Sequence, residues 1–180
     1  SLVKPDFIQV DCKGHPGISS YPTKVGHAPP HFDKDIMKIW REVTLKHNVP
    51  LFVHYSGVWD TEAIKKNPEW ARINSNGSRD KNANSLLGGY PEGLLQPQLV
   101  ELAKDYQLDG AWIDGDCWVL RGDYSPKVVE AFKAETGISW APRKEKDADY
   151  FEWMEFNRKL FRKYIANYVK AAHQANPAFK

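Results

Sequence analysis

The chain repeats one pattern three times: a short apolar run, a long polar loop and an amphipathic segment with helical spacing. The apolar runs are Phe7–Asp11, Leu51–Tyr55 and Gly110–Ile113. Successive strand–loop–helix units predict parallel strands joined by right-handed helical crossovers. Leu51–Tyr55 lacks a strict alternation of apolar and polar residues, which is typical of a strand covered on both faces. The pattern therefore predicts an α/β fold built around a parallel sheet.

Two architectures fit this pattern, an open doubly wound sheet and a (β/α) barrel. No glycine-rich phosphate-binding fingerprint follows any of the three strands, which disfavours a nucleotide-binding open sheet. His, Asp and Trp at the strand ends favour the barrel, whose sites lie at that position. A complete (β/α)8 TIM barrel has eight strands and typically about 250 residues. We therefore expect residues 1–180 to form a single catalytic-type domain that is part of a TIM barrel and a fragment of a longer domain.

Helices are expected where apolar residues recur at spacings of three and four. The first begins after Asp33 or Asp35 and ends near Asn48; the others cover residues 61–67, 94–106, 126–136 and 147–175. The stripes expected to be buried are Ile36, Ile39, Trp40 and Val43 in the first helix, and Phe151, Met154, Leu160, Tyr164, Tyr168 and Val169 in the last. Residues 74–89 are rich in Gly, Asn and Ser and are expected to form a loop.

The third strand leads directly into acidic residues. The stretch Leu108–Trp118 reads L-D-G-A-W-I-D-G-D-C-W, so that Asp114 and Asp116 follow an apolar centre. Carboxylates are almost never fully buried unless they are paired. A strand that ends in this way is expected to deliver its acids to a cleft, although a simple Asp-Gly turn without a site explains the same residues equally well.

The residues at the three strand ends combine acids, imidazoles and flat aromatic rings. Sugars present hydroxyls at their edges and apolar C–H groups on their faces, and this mixture of side chains suits both. We expect Asp114 and Asp116 to be the catalytic candidates. The expected substrate-binding residues are Lys13, His15, His54, Tyr55, Trp59 and Trp118.

Each strand-end residue also has a purely structural interpretation. In this interpretation, His15 serves only to hydrogen-bond the backbone of its loop, and His54 is a core histidine whose ring nitrogens are hydrogen-bonded. Asp60 is better placed to cap a helix that begins at Thr61 than to take part in catalysis. The side chains expected to serve packing or capping alone are Trp40, Trp153 and Asp123.

Four segments carry a resemblance to a known family. Lys13–Ile18 and Tyr21–Lys24 resemble the Lys-His-His-Asp/Glu-Gly-Phe and Trp-Pro-Ser/Thr-Lys segments of α-L-fucosidases of glycoside hydrolase family 29. His54–Ser56 is similar to that family's Tyr-Tyr-Ser, and Trp112–Asp116 to its Trp-x-Asp-Gly-Glu. The order agrees over about residues 5–118, and in the family these segments end the second, third and fourth barrel strands.

The resemblance implies a nucleophile at Asp114 and a sugar-hydroxyl contact at His15. Gly14 stands where the family has its first His, and Pro16 where it has an acid. Both differences remove polar contacts to the sugar. The resemblance is therefore closer to a related family of TIM-barrel glycoside hydrolases than to a true fucosidase. It also implies a secreted or periplasmic location, which no residue of the chain indicates by itself.

Three hypotheses follow. The first is a retaining glycoside hydrolase in which Asp114 attacks the anomeric carbon, Asp116 has a supporting role and no cofactor is required. The second is a metal-dependent barrel hydrolase with Asp11, His15, His54 and Asp114 as ligands, although no tight ligand spacing supports it. The third is a carbohydrate-binding barrel fragment without activity, which could pair with another copy because a partial barrel exposes its sheet edges.

Composition limits the partners. A formal net charge of +2 disfavours binding to nucleic acid or to anionic membranes. No apolar run approaches the length of a membrane span. Cys12 and Cys117 are the two cysteines, and they could pair, although two cysteines without a dense framework are more often free thiols. The expected partner is a carbohydrate.

Overall fold

The three predicted strands lie side by side in the computed structural model, which describes residues 5–115 and 121–180. The described residues form five strands: β1 (Ile8–Lys13), β2 (Leu51–Ser56), β3 (Ala71–Ile73), β4 (Arg79–Asn84) and β5 (Gly110–Asp114). β1, β2 and β5 form one parallel sheet in the order β1-β2-β5. Within the described ranges this sheet does not close into a barrel. The expectation of a mixed α/β fold with a parallel sheet is confirmed.

The register of the sheet decides which side chains share a face. Asp11 lies opposite His54, and His54 lies opposite Trp112. Two residues further along, Ser56 lies opposite Asp114. Because side chains alternate along a strand, these residues occupy one face of the sheet near the carboxyl ends of its strands. The pairing of β1 with β2 is irregular between Asp11 and Lys13.

The helices are α1 (Ile36–Lys46), α2 (Thr61–Lys66), α3 (Gln96–Lys104), α4 (Pro126–Thr136) and α5 (Tyr150–Ala175). A 3₁₀ turn covers Pro68–Trp70, and a π-helical turn at Pro91–Leu95 leads into α3. Their starts and stops follow local chemistry. The carboxylates of Asp35 and Asp60 accept hydrogen bonds from the first turns of α1 and α2, and Gly137 ends α4 with a φ of +74°.

The expectation that residues 74–89 form a loop is wrong, because β4 lies within them and pairs antiparallel with β3. The turn of this hairpin is fixed by Gly77, which has a φ of +84° and donates its N–H to the Asn74 carbonyl. The strand is polar (R-D-K-N-A-N) and therefore carries no apolar alternation. An ion pair between buried Arg72 and partly buried Asp80 joins its two arms at 2.8 Å.

The stripe predicted to be buried on α1 is in fact exposed. Ile36, Ile39, Trp40 and Val43 are at least one-third exposed, whereas Met37 and Thr44 are buried. On α5, Phe151 and Val169 are also exposed, and the remaining apolar residues of the predicted stripe are buried or partly buried. Periodicity correctly identifies the apolar face of α1, but this face turns away from the sheet.

Two clusters of buried side chains hold the elements together. The larger fills the space between the sheet and helices α3 and α5, and includes Leu51, Val53, Leu99, Leu102 and Tyr168. The smaller surrounds the fully buried Trp153 of α5 and includes Val128, Phe132 and Phe156. Trp153 was expected to serve packing, and its complete burial confirms this. No helix in the described part of the chain is long and apolar enough to cross a membrane.

Candidate active site

The carboxylate of Asp114 lies at the end of β5 and faces two imidazoles. Its Oδ2 is 3.1 Å from Nε2 of His54 and 3.7 Å from Nε2 of His15. The Asp114 side chain is about a quarter exposed, with an accessibility of 25%. The structure thus brings together three residues that sequence analysis proposed for the site, one from each strand end of the sheet.

His54 lies between two carboxylates. Its Nδ1 is 3.0 Å from Oδ1 of Asp11, and its Nε2 faces Asp114. The Trp112 ring packs against the same imidazole at a centroid distance of 5.2 Å. His54 is therefore fixed from three sides by neighbours on the same sheet face. Asp11, by contrast, is largely exposed.

His15 reaches the site from the loop after β1. The carbonyl of His15 accepts a hydrogen bond from the Thr61 N–H, and that of Pro16 accepts one from the Glu62 N–H, which docks the loop on the start of α2. The edge of the His15 ring meets Trp59 at a centroid distance of 4.5 Å. Trp59, another predicted site residue, therefore forms part of the same cluster.

Gly115 allows these groups to approach closely. It has a φ of +86°, a conformation that side chains rarely adopt. A Cβ at this position would lie 3.2 Å from both Cε1 of His15 and Cε3 of Trp59. The Gly115 N–H also donates to Oδ1 of Asp114 at 2.7 Å. The Asp-Gly pair thus serves as a turn and as part of the site.

These contacts lower the pKa of Asp114 below its ordinary value. The hydrogen bond with His54 is the largest cause, and partial burial acts in the opposite direction. The Gly115 N–H and the electrostatic effects of both imidazoles lower the pKa further. Asp114 is consequently an ionised carboxylate at neutral pH.

A measurable consequence is a pH-dependent contribution of Asp114 to stability. A carboxyl group whose pKa is lowered by folding stabilises the chain above its unfolded-state pKa, about 3.9 for Asp. This stabilisation is lost as the pH falls through the lower folded-state pKa. We therefore expect the stability difference between the wild type and Asp114→Asn to shift against the wild type as the pH falls from 7 to 3. Urea unfolding at both pH values measures it, with Asp33→Asn as the exposed control. If the stability difference between the wild type and Asp114→Asn were the same at both pH values, folding would not lower the pKa of Asp114.

Lys13 and Tyr55, both predicted to bind substrate, are not part of this cluster. Lys13 is buried and forms an ion pair with Asp60 at 2.8 Å, and its ammonium also donates to the Tyr90 hydroxyl. Tyr55 is fully buried and donates its hydroxyl to Gln98 of α3. Tyr55 belongs to the larger core cluster, and the Lys13 ammonium lies against Tyr55 and Tyr90 of that cluster, on the helix-covered side of the sheet. Neither side chain is therefore positioned to contact a substrate at Asp114.

Asp60 has the capping role expected for it, since its Oδ1 accepts the Ala63 N–H at 2.8 Å. Asp123 is buried and accepts hydrogen bonds from the Ser85 hydroxyl and the Ser125 N–H. Cys12 is a free, buried thiol whose pKa is raised by burial. Asp116, Cys117 and Trp118 lie outside the described residues.

Ser56 is a site residue that sequence analysis missed. Its Oγ is 2.6 Å from Nδ1 of His15 and donates to the Trp59 carbonyl at 2.7 Å. The alternation of a strand contained the signal, because Ser56 follows His54 by two positions and must share its face. No cluster of three or more potential metal ligands occurs among residues 5–115 and 121–180. The metal-site hypothesis therefore gains no support from the described residues.

Comparison with known proteins shows likeness in fold. No protein-family model matches the sequence, and no curated protein is significantly similar to it. Among solved structures, α-L-fucosidase isoenzyme 2 from Paenibacillus thiaminolyticus is similar over 97% of this chain, with a TM-score of 0.70 and 20% identity. An α-L-fucosidase variant in complex with Fucα(1,6)GlcNAc is similar over 97%, with a TM-score of 0.52 and 15% identity.

A β-galactosidase from Rahnella sp. is similar over 83% of this chain, with a TM-score of 0.59 and 14% identity. The chain spans 26% of the Paenibacillus enzyme, 46% of the other fucosidase and 28% of the β-galactosidase. These structural neighbours are glycoside hydrolases, and the expected likeness to α-L-fucosidase structures is confirmed at the level of the fold.

Proposed function

We propose that the chain is part of a (β/α)8-barrel glycoside hydrolase in which Asp114 is the nucleophile of a retaining reaction. The observation that carries the proposal is the Asp114 carboxylate at a strand end, 3.1 Å from one imidazole and 3.7 Å from another, with a lowered pKa. Sites of parallel α/β barrels lie at this end of their strands. The glycoside hydrolases among the structural neighbours support the same class.

The proposed mechanism is covalent. Asp114 attacks the anomeric carbon while a second carboxylic acid protonates the departing oxygen, and the same acid later activates the water that releases the sugar. In retaining enzymes the two carboxyl groups are about 5–5.5 Å apart. We assign Asp116, two residues after Asp114 in the sequence, a supporting role, and expect the general acid to come from a later part of the barrel.

The aromatic and imidazole groups around Asp114 have positioning roles in this proposal. Nε2 of His15 would hydrogen-bond a sugar hydroxyl, and His54, whose two ring nitrogens face Asp11 and Asp114, would hold the Asp114 carboxylate in position. Trp59 and Trp118 would contact the apolar face of the ring. Among these residues the structure describes His15, His54 and Trp59, all within the cluster around Asp114. Their arrangement supports a sugar as the substrate class.

Replacement of Asp114 tests the proposal. In the complete enzyme, Asp114→Ala is expected to lower the turnover of an activated aryl glycoside by at least about a thousandfold, since the covalent step loses its nucleophile. Aryl α-L-fucoside and β-D-galactoside are the first substrates to assay, because the structural neighbours include enzymes named for these sugars. Asp33→Ala, at an exposed acid, is the matched control. Undiminished turnover in Asp114→Ala would remove the nucleophile assignment.

A carbohydrate-binding role without turnover is the second candidate. It is favoured by Trp112, which is 55% exposed and lies against His54 on the open face of the sheet. An exposed indole beside an imidazole is a suitable platform for a sugar ring. Saturable glycan binding by the wild type, together with no hydrolysis of any aryl glycoside by the complete protein, would favour this candidate.

A further inference from the structure

A chain of hydrogen bonds controls the proton on the His15 ring. The Ser56 hydroxyl donates to the Trp59 carbonyl at 2.7 Å, and Nδ1 of His15 lies 2.6 Å from the same Oγ. A hydroxyl has a single proton to donate. Because the Trp59 carbonyl can only accept, that proton is already used. The Ser56 oxygen must therefore accept from His15, and Nδ1 must carry a hydrogen.

The acceptor is held in place on all sides. Ser56 is fully buried at the end of β2, paired with Asp114 of β5. The neighbouring Gly57 N–H donates to the Asp114 carbonyl at 2.8 Å. Trp59, which supplies the terminal carbonyl, is bridged to Ala83 of β4. Burial excludes competing water, so the polarity of the hydrogen-bond chain is set by the fold.

We infer that Ser56 is a positioning residue that holds neutral His15 in its Nδ1–H tautomer, so that Nε2 presents a lone pair beside Asp114. The two acceptors, Nε2 of His15 and Oδ2 of Asp114, are 3.7 Å apart and do not hydrogen-bond directly in this state. A hydroxyl next to Nε2, with its oxygen directed away from Oδ2 of Asp114, can donate to Nε2. If the proposed function holds, this position selects a sugar hydroxyl as a donor and rejects a fluorine in its place.

Nuclear magnetic resonance of the complete protein tests the tautomer without any assay of turnover. Long-range ¹H–¹⁵N correlation distinguishes a protonated ring nitrogen from one with a lone pair. The measurement is made at a pH about two units above the usual imidazole pKa, where free histidine is neutral. The signals of His15, one of six histidines, are identified by their loss in His15→Gln.

In the wild type we expect a protonated Nδ1 and a lone pair on Nε2 of His15. In Ser56→Ala the acceptor is gone, and we expect both nitrogen shifts to move towards each other as the two tautomers exchange. Ser20→Ala is the matched control. Ser20 lies in the same loop after β1 as His15, but its hydroxyl donates to the carbonyl of Asp11. This control should leave the His15 signals in place.

Ser56→Cys provides a second test if Ser56→Ala does not fold. A thiol fills nearly the same volume but is a weak acceptor, so the same shift towards mixed tautomers is expected. A wild-type His15 that is protonated on Nε2 would overturn the inference, as would an unchanged Nδ1–H tautomer in the Ser56 variants. These outcomes are independent of hydrolysis, so failure of the glycosidase proposal would leave the tautomer result standing, and the reverse also holds.

Discussion

Asp60→Asn is expected to lower the free energy of unfolding by about 3–5 kcal/mol, the usual cost of leaving a buried charge without its partner. The Asp60 and Lys13 side chains are fully buried and their charged atoms lie 2.8 Å apart. The Lys13 ammonium also donates to Tyr90 and lies 4.5 Å from the centroid of the Tyr55 ring. Asn keeps the size of Asp and its ability to cap α2, so the substitution removes mainly the charge.

A double-mutant cycle with Lys13→Met isolates the pair. The double variant buries no ion at this position, and we expect it to be more stable than Asp60→Asn alone. Glu135→Gln provides the matched control, because Glu135 and Lys159 form an ion pair of the same length, 2.8 Å, on the exposed surface. That control should cost at most about 1 kcal/mol. Urea unfolding followed by tryptophan fluorescence measures all four variants. Strictly additive losses at Asp60 and Lys13 would contradict the coupling.

The pair also determines the position of the site loop. Lys13 ends β1 and Asp60 caps α2, and the loop that carries His15 starts at one partner and docks beside the other. The ion pair thus links the end of β1 to the start of α2, the two elements between which the His15 loop is held. Lys13 was expected to bind substrate and Asp60 to cap a helix, and in the structure the two form a buried ion pair next to the loop that carries His15.

The parts of the fold that were predicted correctly depend on local signals. β2 differs from its predicted bounds by one residue, because its apolar run ends at polar residues. α1 begins directly after Asp35, one of the two predicted caps. The β3–β4 hairpin was missed because β4 is polar and has no apolar alternation. Backbone hydrogen bonds, the turn at Gly77 and the Arg72–Asp80 ion pair hold it in place. Which side of α1 faces the sheet was also missed, since it depends on how the helix is docked.

Position at or just after a strand end was a sufficient guide to the proximity of Asp114, His15 and His54. Tyr55 was misassigned although strand alternation turns it away from the face that holds His54. Lys13 is a different case. Regular alternation would place it on the same face as Asp11, but the irregular pairing after Asp11 directs its side chain into the core. Such an irregularity depends on the neighbouring strand and leaves no mark in the sequence.

Gly17→Ala is expected to be the most disruptive glycine replacement in the site loop, with a loss above about 3 kcal/mol. Gly17 has a φ of +88°, and a Cβ there would lie 1.9 Å from Oδ1 of Asp60. The left-handed conformation alone costs a side chain about 1–2 kcal/mol. Relief of the clash would also require movement of Asp60, which is buried, capping α2 and paired with Lys13. The cost of disturbing the buried ion pair is therefore added to the cost of the backbone.

Gly77→Ala separates these two contributions. Gly77 has nearly the same φ, +84°, but nothing lies within 4 Å of its added Cβ. We expect its loss to stay at the backbone cost of about 1–2 kcal/mol. Gly115→Ala should fall between the two, because its Cβ would meet His15 and Trp59 at 3.2 Å, where side chains can shift slightly. Equal losses of unfolding free energy in Gly17→Ala and Gly77→Ala would show that Asp60 can move at no energetic cost. The Lys13–Asp60 ion pair would then not hold the His15 loop in position.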